Sequence, residues 1–374
     1  MYHIAIDARI ISSSTGRYVE RLLHYLEQLD RTNRYTILVR AKDKQFYRPT
    51  NPNFHIVVAD YADYSFAEQL GFKKQLDELG ADLVHFCMPQ QPILYRGLHV
   101  TTIHDLTLLK TYNSDKNWLA FHLKQLVGRG VFRWVSHSSQ AIIVPSKYTE
   151  QDLLSFTKAA RGKTYLTYEA ADALALNELK PYPEPLGDFI LYVGQQSDYK
   201  NIRRLGDAHQ QLLTHRPELK LVLVGRKNAA TQRNEAYFQK QGYRNIIFTD
   251  FVEDAVRDWL YANCRAYVFP SLMEGFGLPG LEAMQYGAPL VSSNATCLPE
   301  VYSDAAHYFD PYDTNDIARA ITDVLDDDML CDTLVQNSQR VLARYSWEKT
   351  ARETLAVYRA VLRTAKLKER HTSP

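Results

Sequence analysis

The chain lacks the features that define several classes of protein. Its four cysteines, Cys87, Cys264, Cys297 and Cys331, show no CxxC spacing, which argues against a zinc knuckle and against a disulfide framework. No apolar run approaches the roughly 18 residues of a membrane span, and the chain opens with a strand pattern instead of a secretion signal. A net charge of +1 argues against a basic coat for nucleic acid. We therefore expect a cytoplasmic protein without a nucleic-acid partner.

The chain also lacks a G-x-G-x-x-G motif after the first predicted strand of either half, which disfavours a nicotinamide dehydrogenase. Its composition is ordinary, with 45% hydrophobic and 23% charged residues. A length of 374 residues exceeds the usual limit for one hydrophobic core. Two domains are therefore expected.

Strands and helices alternate along the chain, which is the pattern of parallel βαβ units. In the first half, apolar runs predict strands at residues 4–6, 35–39, 54–58, 83–86, 100–103 and 141–144, and helical spacing predicts helices at 17–29, 66–79, 118–134 and 147–156. In the second half, the corresponding strands are 189–193, 219–224, 245–248 and 266–269, with helices from 201 and at 253–262, 279–285 and 315–325.

The alternation lapses between residues 169 and 188, where Pro181, Pro183 and Pro185 indicate a stiff linker. We place an N-terminal domain at residues 1–180 and a C-terminal domain at 186–345. Ligands of doubly wound sheets collect at the carboxyl ends of the strands. A cleft between two facing domains is the expected site.

The segment SLMEGFGLPGLEAMQYGAP, residues 271–289, contains the most specific local signal. Gly275 and Gly277 allow a tight turn and a close approach of the backbone to a ligand, and Pro279 suits the first turn of a helix. The N-terminus of that helix is a site for phosphate. Glu274 and Glu282 offer carboxylates to sugar and ribose hydroxyls. A phosphate between two polyols is a sugar nucleotide.

This segment resembles the E-x7-E signature of glycosyltransferase family 4, whose members are retaining enzymes of the GT-B fold. Other segments carry the same resemblance in the same order: IDARI with TGRYVERLL, TIHDL, VPSKYTEQDL, YVGQQSDYKN, LVLVG and YSWEKTARETLAVYRAVL. Agreement of several ordered motifs is a strong signal. The resemblance implies two Rossmann-like doubly wound domains that face a central cleft, with helix 346–366 returning to complete the first.

The resemblance also implies roles for residues of the C-terminal domain. Glu274 would hold the donor sugar, Glu282 the ribose hydroxyls and Lys200 the diphosphate. The loop that joins them to the helix would line the donor site with Gly275, Phe276, Gly277 and Leu278. Lys200 taken alone also fits a surface lysine at a helix start.

In the N-terminal domain, the resemblance implies that His104 reaches toward the donor sugar and that the loop around Gly16 closes over the phosphates. His104 also fits a structural histidine, and Gly16 a simple turn glycine. With Glu274 and Lys200, His104 completes the predicted catalytic set.

One departure from the family pattern affects the diphosphate site. Where the family usually carries a second basic residue near the lysine, this chain has Gln195 and Tyr199. Arg226 or Lys227, which follow the glycine of LVLVG, could supply that charge.

No metal or other cofactor is expected. A helix N-terminus and a lysine can stabilise the negative charge that develops on a leaving diphosphate. The triple acid 326–328 is similar to the DxD motif of metal-dependent glycosyltransferases, but it lies at the end of a predicted helix and reads as a solvated helix end.

The expected function is transfer of a hexose, from a nucleoside-diphosphate sugar, to a glycan or a lipid-linked glycan, with retention of configuration. Similarity to polysaccharide-assembling members favours a mannosyl or related hexosyl donor. Two alternatives stay open: a sugar-nucleotide epimerase or phosphorylase, since both also use paired Rossmann-like domains, and a non-catalytic binder of nucleotide sugars.

Residues 110–163 form a basic segment that contains nine Lys and Arg against three acids. Its apolar residues are interleaved with the bases: Trp118, Phe121, Leu123, Leu126, Phe132 and Trp134. Such a segment fits peripheral contact with the inner face of a membrane through the N-terminal domain, or an ordinary helix with a buried stripe and solvated bases.

Overall fold

A computed structural model of the chain describes residues 1–13, 15–111, 118–172 and 179–372. The chain divides into two compact units. The first comprises Met1–Leu109, Lys124–Glu169 and Ser346–Pro374, and the second comprises Lys110–Leu123 and Ala170–Tyr345. The boundary at residues 169 and 170 precedes the prolyl segment 181–185, where it was predicted.

Each unit contains one parallel sheet. The strands of the first are β1 (His3–Asp7), β2 (Arg34–Val39), β3 (Phe54–Val58), β4 (Leu83–Phe86), β5 (His99–Thr102), β6 (Ala141–Val144) and β7 (Thr164–Leu166). Those of the second are β8 (Phe189–Val193), β9 (Lys220–Val224), β10 (Ile246–Asp250), β11 (Ala266–Phe269), β12 (Leu290–Ser293) and β13 (Ala306–Phe309).

Thirteen α-helices lie within the described ranges. They are α1 (Gly16–Leu29), α2 (Lys73–Leu79), α3 (Thr107–Lys110), α4 (Trp118–Ser138), α5 (Lys147–Phe156), α6 (Ile202–Leu212), α7 (Ala229–Gln241), α8 (Asp254–Asn263), α9 (Leu278–Gln285), α10 (Leu298–Tyr302), α11 (Thr314–Asp326), α12 (Asp328–Leu342) and α13 (Trp347–Thr372). Within these ranges, no helix is both long enough and apolar enough to cross a membrane.

The strand order reverses at the same place in both sheets. The first sheet runs β3-β2-β1-β4-β5-β6-β7 and the second runs β10-β9-β8-β11-β12-β13. This is the doubly wound order, in which the first strand of each unit lies beside the fourth and a crevice opens at their carboxyl ends. Most of the strands are buried, because helices cover both faces of a parallel sheet. The predicted α/β fold class is therefore confirmed.

Helix α13 belongs to the first unit and packs against α1. Its apolar residues at helical spacing, Ala351, Leu355, Tyr358 and Leu362, are all buried. The Tyr358 hydroxyl lies 2.6 Å from Nδ1 of the buried His85 on β4. The end of the chain therefore contributes to the core of the unit that contains its beginning.

Three strands, β7, β12 and β13, are additions to the predicted set. β7 has only three residues, too few for a periodic signal. β12 and β13 have four residues each and include serines, a histidine and a tyrosine. Their place in the sheet comes from pairing with a neighbouring strand and not from local hydrophobicity.

Candidate functional site

The strand-order reversal of the second sheet brings together the loops that follow β8 and β11. Two glycines shape the neighbouring turns: a Cβ on Gly225, after β9, would lie 2.3 Å from the carbonyl oxygen of Gly194, after β8. Gly194 and Gly225 both have positive φ, 147° and 159°. Only glycine permits this approach, so the two backbones leave the sheet side by side.

Lys200 and Glu274 meet at this reversal. Lys200 Nζ donates to Glu274 Oε1 at 2.6 Å, and each side chain is 13% exposed. The ammonium also lies 5.1 Å from the ring centroid of Tyr199 and 5.5 Å from that of Phe269. Burial alone would lower the pKa of Lys200, but the Glu274 carboxylate outweighs it and raises that pKa above its ordinary value. Lys200 is therefore charged at any physiological pH.

Backbone hydrogen bonds join the two loops around this pair. The Leu272 N–H donates to the Tyr199 carbonyl at 2.8 Å. The Glu274 N–H donates to Thr296 Oγ1 at 3.2 Å, and the Cys297 thiol donates to the Glu274 carbonyl at 3.3 Å. The main chain of Glu274 is thus held by Thr296 and Cys297, in addition to the bond that its carboxylate accepts from Lys200.

Gly277 ends this loop and caps α9. Its φ of 101° lies in the region that favours glycine, and a Cβ would approach the Tyr302 hydroxyl to 2.4 Å. That hydroxyl donates to the Gly277 carbonyl at 2.5 Å. The Phe276 ring is buried edge-on against Tyr345, with centroids 5.4 Å apart. Tyr302 and Tyr345 thereby hold the turn that presents the N-terminus of α9.

The N-terminus of α9 provides the chemistry predicted for residues 275–278. Leu278 is the first helical residue and Pro279 the second, where its missing N–H costs nothing. The first-turn amides of a helix have no partner within the helix, and the positive end of its dipole favours an anion. Pro279 has no N–H and the Gly280 N–H donates to the Gly277 carbonyl at 3.2 Å, so the backbone donors that this end of α9 adds come from the other residues of its first turn.

Glu282 lies one turn into α9. The Tyr261 hydroxyl donates to its Oε2 at 3.4 Å, and the Tyr261 ring stacks on Tyr286 with centroids 5.8 Å apart. Glu282 therefore has a tyrosine of α8 as a neighbour, whereas Glu274 pairs with Lys200. The two acids of E-x7-E have different neighbours, which is consistent with different roles.

Arg226 and Lys227, the predicted substitutes for the missing base, are both exposed. The Arg226 guanidinium stacks over Phe251 at 5.2 Å, and Lys227 Nζ lies 3.0 Å from Glu235. Both follow β9 at the ligand-binding edge of the sheet. Their contacts in this structure are with these surface neighbours, and a role at a diphosphate stays a prediction.

His104 follows β5 of the first unit and lies beside Glu169, 65 residues further along the chain. Nδ1 is 3.1 Å from Glu169 Oε1, and Nε2 is 3.0 Å from the Cys87 carbonyl oxygen. The edge of the Tyr18 ring meets the imidazole at a centroid distance of 4.8 Å. Burial would lower the pKa of His104, but the hydrogen bond and charge of Glu169 raise it.

Gly16 is the first residue of α1. A Cβ at this position would lie 1.9 Å from the Ile11 carbonyl oxygen. The turn after β1 therefore folds back onto the start of the helix so closely that only glycine fits. Tyr18, two residues further on, contacts His104, so the two predicted residues of this unit belong to one neighbourhood.

The acids 326–328 form the junction between α11 and α12. Asp326 bonds Arg216, and the Asp327 side chain caps α12 by accepting from the Leu330 N–H at 3.0 Å. In the part of the chain that is described, no group of three or more His, Cys, Asp or Glu could hold a metal ion. The metal-free mechanism stays a prediction.

Several residues of these sites were missed from the sequence. Glu169 in LTYEAAD, Thr296 and Tyr302 carry no motif of their own, and each contacts a predicted residue only through folding. Glu169 follows β7 by three residues, but that strand is too short to be predicted, so the sequence offered no usable signal for Glu169.

Two family models match the chain. Residues 15–172 match Glycosyltransferase Family 4, and residues 180–341 match Glycosyl transferases group 1. The O-antigen chain mannosyltransferase B of Escherichia coli is 31% identical over 270 residues, which is 70% of each chain. The chain belongs to glycosyltransferase family 4. This membership favours a transferase that acts on glycan acceptors over an epimerase, a phosphorylase or a non-catalytic binder.

Other relatives of this glycosyltransferase extend the comparison. The serotype-specific mannosyltransferase WbdA of Escherichia coli is 28% identical over 279 residues, 71% of this chain, which spans 34% of the length of that relative. Sucrose-phosphate synthase from Thermosynechococcus elongatus superposes with a TM-score of 0.78 at 20% identity, covering 97% of this chain and 100% of the other. That likeness concerns the fold alone, and it confirms the predicted GT-B fold with its two Rossmann-like sheets.

Proposed function

We propose that this glycosyltransferase transfers a hexose, mannose in the first instance, from a nucleoside-diphosphate sugar to a glycan or lipid-linked glycan, with retention of configuration and without a metal. The observation that carries the proposal is the Lys200–Glu274 pair, 2.6 Å apart at the strand-order reversal, with Glu274 three residues before Gly277, the N-cap of α9. The choice of mannose is supported by the names of two relatives, the O-antigen chain mannosyltransferase B and WbdA.

The first role belongs to Lys200. Cleavage of the bond between the anomeric carbon and the phosphate oxygen leaves negative charge on the diphosphate. An ammonium carries three N–H groups, so Lys200 can donate to a phosphate and to Glu274 together or exchange one for the other. The first-turn amides of α9 add donors with fixed orientation. Together these groups stabilise the leaving group.

The second role belongs to the two acids. A carboxylate accepts hydrogen bonds only, so Glu274 suits the hydroxyls of the transferred sugar and Glu282 those of the ribose. The main chain of Glu274 is anchored through Thr296 and Cys297, which keeps its position when Lys200 turns to a phosphate. The separate neighbours of Glu282 support its assignment to a different part of the donor.

The test is a donor screen followed by product analysis. We expect one of the GDP-, UDP-, ADP- or dTDP-sugars to stabilise the protein, since a ligand at 100 times its dissociation constant adds about 2.7 kcal/mol. Release of nucleoside diphosphate should then depend on acceptor, and NMR of the product should show the anomeric configuration of the donor. Inverted configuration, or stabilisation without release, would contradict the proposal.

A matched pair of lysine variants sharpens the test. Lys200→Gln should abolish most of the transfer, because it removes the cation at the leaving group. Lys180→Gln is the control, since Lys180 also pairs with a carboxylate of the same unit, Glu253 at 3.0 Å, but is 63% exposed. Equal losses in both variants would show that Lys200 has no special role.

We further propose that the first unit contacts the inner face of a membrane. Five exposed or half-exposed apolar residues form what we call the apolar patch: Phe66, Leu70, Ile93, Leu94 and Trp134. Hydrogen bonds connect its parts, because the Ile93 N–H donates to Gln69 at 2.9 Å and Trp134 Nε1 donates to the Ile93 carbonyl at 2.6 Å. The Arg96 guanidinium stacks over Trp134 at 5.1 Å. A cation beside exposed aromatic surface suits anionic lipid.

The side chains of the basic segment, residues 110–163, differ in burial. Phe132 is 5% exposed and belongs to the core with Ile142 and Leu153, whereas Leu126 is 68% exposed. Phe132 therefore fits the alternative of an ordinary helix with a buried stripe, and Leu126 lies outside that stripe. The side chains of Trp118, Phe121 and Leu123 lie outside the described residues.

Vesicle sedimentation tests the membrane contact. The protein should bind vesicles rich in phosphatidylglycerol more strongly than phosphatidylcholine vesicles, and a Phe66→Ser, Leu70→Ser double variant should lose most of that binding. Met329→Ser is the control, because Met329 is a 79% exposed apolar residue of the second unit. Binding that survives the double variant would exclude the patch as the contact surface.

A further inference from the structure

Both ring nitrogens of His104 face oxygen atoms that only accept hydrogen bonds. Nε2 faces the Cys87 carbonyl at 3.0 Å and Nδ1 faces the Glu169 carboxylate at 3.1 Å. The side chains of His104 and Glu169 are 13% and 8% exposed, so water does not readily replace either contact. The arrangement joins the exits of β4, β5 and β7.

The protonation state follows from this geometry. A neutral imidazole has one N–H and one lone pair, and the lone pair would face one of the two oxygens without a hydrogen bond. An imidazolium donates to both. A buried acceptor left without a donor costs about 1–3 kcal/mol, more when it is charged, so the doubly protonated ring is favoured.

The other groups around His104 do not oppose this charge. Asp105 follows it in the chain and favours a cation, the Tyr18 ring of α1 meets it edge-on, and Thr149 of α5 donates to its carbonyl at 3.3 Å. His85 on β4 is the neighbouring base, and burial lowers the pKa of His85 to about 3, so it is neutral.

We propose that Glu169 is a positioning residue that holds His104 as a doubly protonated imidazolium, so that His104 contributes a fixed positive charge to sugar transfer and does not act as a proton acceptor. The second half of this statement rests on the proposed function. It assigns a role to a residue that no motif identified, and it defines what His104 does chemically.

The pH dependence has a definite sign. An imidazolium that acts by its charge is active at low and neutral pH, and activity falls as the pH rises through the His104 pKa. A histidine that acts as a base shows the opposite limb, with activity rising through the same pKa. Glu169→Gln keeps the shape of the side chain and removes the carboxylate charge. The pH at which activity falls should therefore decrease by about one pH unit or more.

The experiment combines two measurements. Nitrogen NMR of 15N-histidine-labelled protein, with His104 assigned by comparison with His104→Gln, reports the protonation of the ring independently of activity. The pH profile of kcat reports its role in transfer. Wild type should show two protonated nitrogens at pH 6.5, and Glu169→Gln should lower the midpoint of both titrations and reduce kcat at pH 7.5 by about tenfold.

Three further variants make the result interpretable. Glu169→Asp keeps the charge, so the midpoint of the His104 titration should lie closer to the wild-type pH than it does in Glu169→Gln. A merely structural role of Glu169 would not predict this. Glu20→Gln, on the exposed face of α1, removes an acid of the same unit and should change neither measurement. Asp105→Asn removes a nearby charge that bonds the Thr107 N–H and not the ring, and should produce a smaller shift.

The outcomes separate the two halves of the proposal. One unprotonated nitrogen at pH 6.5, or a midpoint unchanged in Glu169→Gln, overturns the positioning role whatever the enzyme transfers. Shifted nitrogens with an unshifted kcat profile overturn the role of the charge in transfer. Absence of transfer from every nucleotide sugar would refute the proposed function, while the nitrogen shifts would still decide the role of Glu169.

Discussion

The two units contain similar charged pairs that differ in how many of their donors are occupied. In the first unit, His104 pairs with Glu169 at 3.1 Å, and in the second, Lys200 pairs with Glu274 at 2.6 Å. Both cationic side chains are 13% exposed, and both pairs lie at the carboxyl ends of parallel strands. The imidazole has two nitrogens, and each contacts an internal acceptor. The ammonium has three N–H groups and rests against the faces of two aromatic rings.

This difference teaches what makes a charged pair suitable for binding a ligand. A ring whose two donors are both satisfied can supply charge, but it gains little from a new acceptor. An ammonium beside glycine turns and a helix N-terminus can take a phosphate while Glu274 takes hydroxyls. We therefore expect the first pair to be fixed and the second to open when the donor binds.

The largest expected effect comes from removing α13. A chain ending at Tyr345 loses the buried residues Leu355, Tyr358 and Leu362. Because truncating one buried large residue costs about 2–5 kcal/mol, losing a whole helix exceeds the typical stability of a domain. We predict that the first unit unfolds, that transfer stops and that nucleoside diphosphate still binds. Calorimetry and nucleotide titration check this, and an unchanged melting profile with full activity would contradict it.

Glu274→Gln is the next largest change. It removes the carboxylate of the Lys200–Glu274 pair, which we assign to the hydroxyls of the transferred sugar. We therefore expect kcat to fall by about 10²–10³-fold, while the affinity for bare nucleoside diphosphate stays nearly the same. Steady-state kinetics and isothermal titration measure the two quantities. The double variant with Lys200→Gln should lose less than the sum of the single effects, because the two residues act as a unit. Full additivity would show that they act independently.

Glu282→Gln should separate binding from turnover within α9. Loss of a charged acceptor for the ribose should weaken nucleoside diphosphate binding by about 10-fold to 100-fold, as hydrogen bonds to charged groups contribute about 1.5–3 kcal/mol. The effect on kcat should be small. If Glu282→Gln and Glu274→Gln change nucleotide affinity equally, the assigned division of roles is wrong.

The stability of the protein should fall in acid because the pKa values of four buried histidines are lowered: His3, His85 and His99 in the first unit and His209 in the second. Burial lowers the pKa of His85 to about 3 and that of His209 to about 4. The unfolded chain binds these protons near pH 6.5, so stability is complete above that value and is lost as the pH falls toward 3 and 4. His104 has the opposite sign: its raised pKa contributes stability below pH 6.5 that is lost as the pH rises through the folded value.

Melting temperatures between pH 4 and 8 check this for each unit. His85→Gln and His209→Gln should flatten the acid limb, whereas His215→Gln, at an exposed position of the second unit, should leave it unchanged. An acid limb that persists in both buried variants would assign the loss of stability to the other buried histidines, His3 and His99, or to the carboxylates.

The smallest expected effect is that of a chelator. If Lys200 and α9 stabilise the leaving diphosphate, EDTA should change kcat by less than about twofold. Complete loss of activity that manganese or magnesium restores would show that transfer depends on a bound cation. Substitution of the acids 326–328 would then show whether these carboxylates bind the cation.

The sequence alone determined the fold and the glycine-rich loop to which we assign the donor site. Hydrophobic periodicity is local, so most of the longer strands and helices could be predicted from their own residues, including α5 at Lys147–Phe156, although α7 and α12 were missed. The glycines and acids of 274–282 are also local, because a turn and the helix that follows it constrain consecutive residues. The placement of Glu274 and Gly277 in one turn, and of Glu282 in the helix after it, could therefore be predicted.

Tertiary structure alone decided the partners. Lys200 and Glu274 are separated by 74 residues and His104 and Glu169 by 65, and nothing in either local sequence selects the other. For Phe132 the sequence left open a membrane-facing or a buried side chain, because the same helical stripe can pack on a core or lie on a surface, and in the structure the side chain is buried. The physical reason is that periodicity encodes which face of an element is apolar, whereas hydrogen-bond partners depend on which strands become neighbours and where their ends meet.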